Sequence, residues 1–136
     1  MTEKLAYSYI RMSTEIQLRG DSLRRQSEAS AIYAQQNGLK LVPENELKDI
    51  GVSAYKGDNV EHGALGRFIA AVEANEIPRG SYLLVESLDR ISRQEIGVSL
   101  ELFLRLIRNG IVLVTLIDGQ KYSAPLNDTT KLITSI

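Results

Sequence analysis

The sequence predicts an α/β fold, a doubly wound and mainly parallel sheet of about four or five strands flanked by helices. Three features of the chain support this prediction. Short apolar runs alternate with longer amphipathic segments, which is the order found in β–α–β units. The first of these runs carries apolar side chains on both faces, as central parallel strands do. Glycine or proline follows the helical patterns and marks where each helix should end.

The N-terminal half should contain one helix between two strands. In order, the elements are a strand over residues 5–11, a polar loop over 14–20, a helix from Asp21 or Ser22 to Asn37, and a strand over 39–42 that resumes near 47–50. The polar side chain at the start of the helix is a favoured N-cap. Gly38 can adopt the left-handed conformation that ends a helix. Pro43 should interrupt the second strand, because proline cannot donate a ladder hydrogen bond.

The C-terminal half should contain two helices, each followed by a strand. In order, the elements are a polar loop over 51–63, a helix over 64–75, a strand over 82–86, a helix from about residue 96 to Gly110, a strand over 111–117 and an edge strand at Tyr122. The first helix repeats apolar residues at helical spacing: Leu65, Phe68, Ile69 and Val72. The second has the apolar stripe Ile96, Leu100, Phe103, Leu104 and Ile107. The pair Asp118-Gly119 is typical of a tight turn.

A further helix should begin at Asn127 or Asp128, and residues 129–136 would form only its first turns. Average helices are longer than this segment. We therefore expect the chain to be the N-terminal part of a larger protein. The expected organisation is one domain over residues 1–126, followed by the start of a truncated C-terminal helix over residues 127–136.

Composition excludes several kinds of chemistry. The 136 residues include no cysteine and a single histidine, His62, which excludes disulfides, thiolate catalysis and cysteine- or histidine-rich metal sites. No apolar run is long enough to span a bilayer and no signal-peptide pattern is present, so we expect a cytoplasmic protein without membrane contact. The net charge is −1, whereas DNA-binding domains are usually basic. Affinity for DNA would therefore come mainly from a basic partner segment or from oligomerisation.

Two polar clusters follow predicted strands, and the first is Tyr9-Ile10-Arg11-Met12-Ser13-Thr14. Ligands of open α/β sheets bind at the carboxyl ends of the strands. Arg11 and Ser13 are two residues apart, so their side chains project to the same side of an extended backbone. This arrangement favours Ser13 as a nucleophile and Arg11 as the group that holds an anion. The alternative is a strand end at which Ser13 caps a turn and Arg11 is solvated.

The second cluster, Leu88-Asp89-Arg90-Ile91-Ser92-Arg93, follows the strand predicted over 82–86. Arg90 and Arg93 are three residues apart and share one face if this turn is helical. Exposed ion pairs add little stability and like charges repel, so two neighbouring arginines indicate an anion such as a phosphoryl group. The alternative is an exposed turn in which Asp89 pairs with either arginine. Together the clusters would bring a hydroxyl, a carboxylate and three guanidinium groups to one edge of the sheet.

The motifs Tyr9-x-Arg11-x-Ser13, Ser22-Leu23-x-x-Gln26 and Leu88-Asp89-Arg90-x-x-Arg93 occur in this order along the chain. This series resembles the catalytic domain of the serine recombinases, the resolvase/invertase and large serine integrase group, over nearly the whole chain. The resemblance implies a site-specific DNA recombinase that acts on double-stranded DNA as a homodimer and homotetramer. It also implies a dimerisation helix from residue 127 onward, and activity without metal, ATP or any other cofactor.

The resemblance further implies a role for each motif residue. Ser13 would attack a DNA phosphodiester and leave a 5′-phosphoserine link and a free 3′-hydroxyl, before strand exchange and religation. The residues that would bind the scissile phosphate are Arg11, Arg90 and Arg93. Asp89 would orient an arginine or assist proton transfer, and the proton acceptor could equally be a water polarised by an arginine. The residues that would support the site are Gln26, Tyr9 and Ser53.

The chain departs from the family pattern at one position. The family usually has a further arginine in the loop after the second strand, several residues past the serine that corresponds to Ser53. Here the nearest cations are Lys56 and His62, and Arg67 lies on the following helix. The role of the loop cation is therefore unassigned.

Two other functions are compatible with the residues alone. An α/β phosphoesterase would act on small phosphate esters and form no link to DNA. A noncatalytic α/β interaction module would use Ser13 only to cap a turn, and Ser13→Ala would then leave every activity unchanged. In that module the supporting residues would have ordinary roles: Gln26 as a polar helix position, Tyr9 as a packed aromatic and Ser53 as a loop serine.

Overall fold

Three α-helices lie against the two faces of a mainly parallel sheet in the computed structural model, which describes residues 4–12, 22–50, 63–88 and 96–123. The strands are β1 (Lys4–Met12), β2 (Leu39–Lys40), β3 (Glu46–Ile50), β4 (Tyr82–Val85), β5 (Val112–Thr115) and β6 (Gln120–Tyr122). The helices are α1 (Ser22–Gln36), α2 (Ala64–Glu73) and α3 (Ile96–Arg108), and a short 3-10 turn spans Pro43–Asn45. Within these ranges, no helix combines the length and the apolar character needed to cross a membrane.

Strand β1 lies at the centre of the sheet. The strand order is β2-β1-β4-β5-β6, and β3 also pairs with β1. Only the β5–β6 pair is antiparallel among the described strands. Strand β2 pairs with Lys4 and Leu5 at the start of β1, and β3 pairs with residues 8–12 on the same edge. Because β2 and β3 share one position beside β1, the six strands occupy five positions in the sheet. The predicted, mainly parallel α/β sheet is therefore confirmed.

The edge formed by β2 and β3 is interrupted by the 3-10 turn that Pro43 begins. The Asn45 side chain fills the gap, since its Nδ2 donates a hydrogen bond to the carbonyl oxygen of Ala6 at 3.1 Å. Ala6 lies between the residues of β1 that pair with β2 and those that pair with β3. The interruption predicted at Pro43 is therefore confirmed, and a side-chain amide replaces the missing ladder contact.

The two faces of the sheet are buried to different extents. The face beneath α2 and α3 holds the main core, which includes Tyr9, Leu65, Phe68, Ile69, Leu83, Val85, Phe103, Leu106, Ile107 and Leu113. The face beneath α1 has a smaller core of Ala6, Leu84 and Val114, with Tyr33 and Leu39 only partly buried against it. Apolar burial is the main driving force of folding, so α2 and α3 contribute most of it, whereas α1 depends more on specific contacts.

Several predicted element boundaries needed correction. The apolar run predicted as a strand over 111–117 is a strand only over Val112–Thr115, and Ile117 lies in the following turn with 72% of its surface exposed. The turn is stabilised by Thr115, whose hydroxyl donates to the Asp118 carboxylate. In α3, Phe103 and Ile107 are buried as predicted, but Leu102 and Leu106 complete the buried face and Leu104 is only partly buried. Gly38 has φ +65° and ends α1, as predicted.

A buried hydroxyl pair joins α1 to β1. Ser8 and Ser30 are 0% and 2% exposed, and Ser8 Oγ donates to Ser30 Oγ at 2.9 Å. Both hydroxyls are removed from water on folding, so each depends on the other for a hydrogen bond. This contact fixes where Ser30, and with it the middle of α1, lies on the sheet.

We predict that Ser8→Ala and Ser30→Ala each lower the free energy of unfolding by about 1–3 kcal/mol, because each leaves a buried hydroxyl without its partner. The double variant should lose less than the sum of the two, since it removes both hydroxyls. Urea unfolding of the four proteins measures this. Additive losses would contradict the pairing.

Candidate active site

Strands β1, β3, β4 and β5 run in the same direction, so their carboxyl ends lie at one edge of the sheet. Met12 at the end of β1 is level with Ile50 at the end of β3, and Tyr9 is level with Val85 at the end of β4. From this edge the chain continues into the segments that carry most of the predicted site residues. Those that lie outside the described residues are Ser13, Ser53, Asp89, Arg90 and Arg93, together with the loop cations Lys56 and His62. The predicted site residues that the structure describes are Tyr9, Arg11 and Gln26.

Arg11 is buried at the end of β1, with 4% of its surface exposed. It shares a face of the sheet with Tyr9, two residues earlier, which belongs to the core beneath α2. Its register partner on β3 is Asp49, which is 5% exposed. A buried cation and a buried carboxylate therefore lie side by side on adjacent strands. The alternative in which Arg11 is solvated is wrong.

Asp49 joins two strands and a helix. Tyr9 Oη donates to Asp49 Oδ2 at 2.7 Å. At the start of α2, the backbone amide of Ala64 donates to Oδ1 at 2.7 Å and that of Leu65 to Oδ2 at 3.3 Å. The first amides of a helix have no acceptor within the helix, and negative charge there interacts favourably with the helix dipole. A side chain from β3 thus caps α2 and holds the phenol of β1.

Gly63 makes this approach possible. It is the N-cap residue of α2 and provides no side-chain cap. A Cβ atom added at Gly63 would lie 2.6 Å from Asp49 Oδ2 and 2.7 Å from Oδ1, closer than such atoms approach in proteins. The glycine therefore leaves the space that the Asp49 carboxylate occupies, and the aspartate takes the place of the usual N-cap side chain.

Gln26 is also buried, with 3% of its surface exposed. It lies one helical turn before Ser30, and α1 runs back from the carboxyl edge towards Gly38, so Gln26 is nearer to that edge than the Ser8–Ser30 contact. Helix α1 covers the face of β1 opposite to Arg11. Gln26 and Arg11 therefore approach the site from opposite faces of the sheet. Gln26 is thus a buried polar position of α1, and its role at the site stays a prediction.

Metal ligands are not grouped in the part of the chain that the structure describes. No three histidine, aspartate or glutamate side chains of these residues are placed to hold an ion together. The described polar groups of the candidate site are a guanidinium, a phenol, an amide and a carboxylate, all of which can form hydrogen bonds.

Comparison with known proteins assigns this arrangement to a family. The resolvase N-terminal domain family matches residues 6–135 of the chain. The chain belongs to the resolvase family. This confirms the resemblance to the serine recombinases, of which the chain is a catalytic domain. The resolvase-family chain is 37% identical over 134 residues to the uncharacterized protein YbcK of Escherichia coli K12. The match covers 98% of this chain but only 26% of YbcK.

Solved structures with the same fold support the assignment. A resolvase family site-specific recombinase from Streptococcus pneumoniae superposes with a TM-score of 0.72 at 23% identity, covering 97% of this resolvase-family chain and 84% of that chain. The N-terminal catalytic domain of TP901-1 integrase superposes with a TM-score of 0.70 at 25% identity, covering 96% and 90% of the two chains. The first likeness shows the fold alone, and it is the fold expected of the family.

Asp49 is the residue of the site that we did not predict from the sequence. A signal for it was present, because Asp49 follows Leu47 by two residues in the strand predicted near 47–50. The strand period of 2 places its carboxylate on the same face as that leucine, which packs against the core. A carboxylate on a buried strand face needs donors, and here they come from Tyr9 and the start of α2.

We predict that Asp49→Ala destabilises the protein more than Tyr9→Phe. The phenylalanine variant removes one donor from a carboxylate that keeps two others. The alanine variant leaves a buried phenol and two helix amides without their acceptor, and lost N-caps and buried partners each cost about 1–2 kcal/mol. Chemical denaturation of both variants measures the difference. Equal losses would show that Asp49 does not serve the three donors together.

Proposed function

We propose that this serine recombinase domain cleaves and rejoins DNA at specific sites, with Ser13 as the nucleophile. The Ser13 oxygen would attack a DNA phosphorus atom and form a 5′-phosphoserine link, while the bond to the 3′ oxygen breaks. The serine proton would leave to an acceptor, and the 3′ oxygen would gain a proton. After strand exchange the 3′-hydroxyl would attack the phosphoserine and release Ser13 unchanged. Because the link to Ser13 conserves the phosphoester bond, the cycle requires no ATP.

The observation that carries this proposal is the burial of Arg11 at the carboxyl edge, two residues before Ser13. Enclosing a guanidinium is costly unless its charge and hydrogen-bond donors are used. Its planar fork can bind two phosphate oxygens at once, and it stays protonated at any working pH. Asp49 on the neighbouring strand gives the cation a fixed negative neighbour. A preorganised guanidinium at the end of β1 suits charge that develops on a phosphoryl group.

The remaining roles belong to the same proposal. Arg90 and Arg93 would bind the scissile phosphate with Arg11, and Asp89 would orient an arginine or assist proton transfer. Gln26 and Tyr9 support the site from opposite faces of the sheet, and Ser53 would support it from the loop after β3. Catalysis would then rest on positioned charges, without a metal ion.

The partners are proposals as well. A site-specific recombinase acts on double-stranded DNA, and we propose a homodimer that assembles into a homotetramer when two sites are brought together. With a net charge of −1, this chain would contribute little of the electrostatic affinity for DNA. We propose a domain over residues 1–126, followed by a dimerisation helix from residue 127. That helix would carry most of the subunit interface, and the basic DNA-binding surface would also lie outside residues 1–126.

We predict that the full-length protein forms a covalent adduct with DNA at Ser13. The protein is mixed with genomic DNA of its source organism, quenched with detergent, digested with protease and nuclease, and analysed by mass spectrometry. A nucleotide mass on the peptide that contains Ser13 is expected, and none in Ser13→Ala. An adduct at another residue, or hydrolysis of a small phosphate ester without any adduct, would contradict the recombinase mechanism and favour the phosphoesterase.

We also predict that Arg11→Lys does not preserve activity. Loss of one preorganised donor to a developing charge typically costs about 10²–10³ in rate, and a lysine ammonium lacks the planar fork. The rate of adduct formation at Ser13 measures the loss. Arg108→Lys, on the exposed surface of α3, is the matched control and should keep the wild-type rate. A fully active Arg11→Lys variant would show that Arg11 acts as a charge only.

A further inference from the structure

An ion pair joins α1 to the end of β4. Arg25 Nη1 donates to Glu86 Oε1 at 2.8 Å. The side chain of Arg25 is 55% exposed, whereas that of Glu86 is only 15% exposed. Glu86 follows β4 directly and stands two residues before Leu88, which begins the second arginine motif. The pair therefore lies at the carboxyl edge of the sheet, the edge from which the chain continues into the motifs of the proposed active site.

The backbone around Glu86 is held rigidly by the next strand. The amide of Leu116 donates to the carbonyl oxygen of Val85 at 2.8 Å, and that of Ile117 donates to the carbonyl oxygen of Glu86 at 3.0 Å. These bonds continue the β4–β5 ladder beyond the last residue of β4. Glu86 is therefore a fixed point on the sheet, and Arg25 attaches α1 to it.

A second contact fixes α1 on a different strand. The Ser8–Ser30 hydrogen bond attaches the middle of α1 to β1 at 2.9 Å. Arg25 and Ser30 are five residues apart, or about 7.5 Å along the helix axis. Attachment to two strands at two points fixes both the axial position and the rotation of α1. These two contacts therefore also set the position of Gln26, the neighbour of Arg25.

Stability alone gives a weak reason for this ion pair, because partly exposed pairs contribute little to it. A carboxylate at this edge would also repel the phosphates that the edge is proposed to receive, unless a cation is held against it. Leu84, two residues earlier on the same face of β4, is apolar and fully buried. The charged pair is better explained by the geometry that it imposes.

We propose that Arg25 and Glu86 form a positioning pair for the recombination reaction. They set the spacing between Gln26 on α1 and the segment after β4 that carries Asp89, Arg90 and Arg93. This inference rests on the proposed function. The two residues act through those groups and make no contact with the DNA. Their loss should therefore slow the chemical step by misplacing catalytic groups, and leave DNA affinity unchanged.

The test is a single-turnover measurement of Ser13–DNA adduct formation by the full-length protein. The DNA is a duplex carrying the sequence read from wild-type adducts that are isolated before nuclease digestion, and its concentration is raised to saturation. In Arg25→Ala and in Glu86→Ala, the rate at saturation should fall about 10- to 100-fold, the range expected for misplacement by up to 1 Å. The half-saturating DNA concentration should stay the same. Arg25→Lys, whose ammonium can still reach Glu86, should recover most of the rate.

The Arg105–Glu73 pair provides a matched control. It joins α3 to α2 with an N–O distance of 2.7 Å, and both side chains are 43% exposed. Arg105→Ala and Glu73→Ala should keep the wild-type rate of adduct formation, because this pair joins two helices on one face of the sheet and includes no residue of α1 or β4. This comparison separates the loss of a surface ion pair from the loss of a positioning contact.

The double variant Arg25→Ala, Glu86→Ala should be no slower than the slower single variant, because either change already breaks the pair. Three results would overturn the positioning role. The rate losses of the two single variants could multiply in the double variant, or they could be no larger than those of the control pair. The third result is a change in the half-saturating DNA concentration alone. A wild-type protein that forms no adduct at Ser13 overturns the proposed function, and the positioning role falls with it. Wild-type adducts together with unaffected variants overturn the positioning role alone.

Discussion

A carboxylate cannot be enclosed in a protein without donors around it, and at Asp49 this requirement organises the carboxyl edge of the sheet. Its donors belong to β1 and to the first turn of α2, while the residue itself belongs to β3. The three elements must therefore meet at one point. Arg11 is the register neighbour of Asp49, so the same constraint places the guanidinium that the proposed chemistry uses.

The helices on the two faces of the sheet are held in place by different kinds of interaction. Beneath α2 and α3, a continuous apolar core sets the position of the helices, and packing of this kind tolerates few voids. Beneath α1 the apolar core is small, and two polar contacts hold the helix on the sheet. These are the hydrogen bond between Ser8 and Ser30 and the ion pair between Arg25 and Glu86. Hydrogen bonds specify a geometry more narrowly than apolar contact does. Helix α1, which carries Gln26, is thus placed by contacts that depend strongly on distance and angle.

Most of the fold was predictable because its elements have local signals. The stripe of α2, the turn at Asp118 and Gly119, and the stop at Gly38 each lie within a few residues of the structure that they determine. The end of β5 was not predictable in this way, because Leu116 and Ile117 continue the apolar run into a turn. The role of Asp49 and the burial of Gln26 depend on contacts between distant segments. Tyr9 is 40 residues from Asp49 in the sequence, and no pattern of neighbouring residues indicates that the two are in contact. Ser13, Arg90 and Arg93 rest on the family resemblance, and their geometry lies outside the described residues.

The interruption of the sheet edge at Pro43–Asn45 has a consequence for the behaviour of the protein at high concentration. A long, regular edge strand offers backbone groups to which another chain can add, and this is a common route to aggregation. Here the edge is divided into a strand of two residues and one of five, separated by a turn whose amide side chain bonds inward to Ala6. The opposite edge, β6, has only three residues, with the charged Lys121 in the middle. Both borders of the sheet, as far as the structure describes it, are therefore poor templates for intermolecular strand addition.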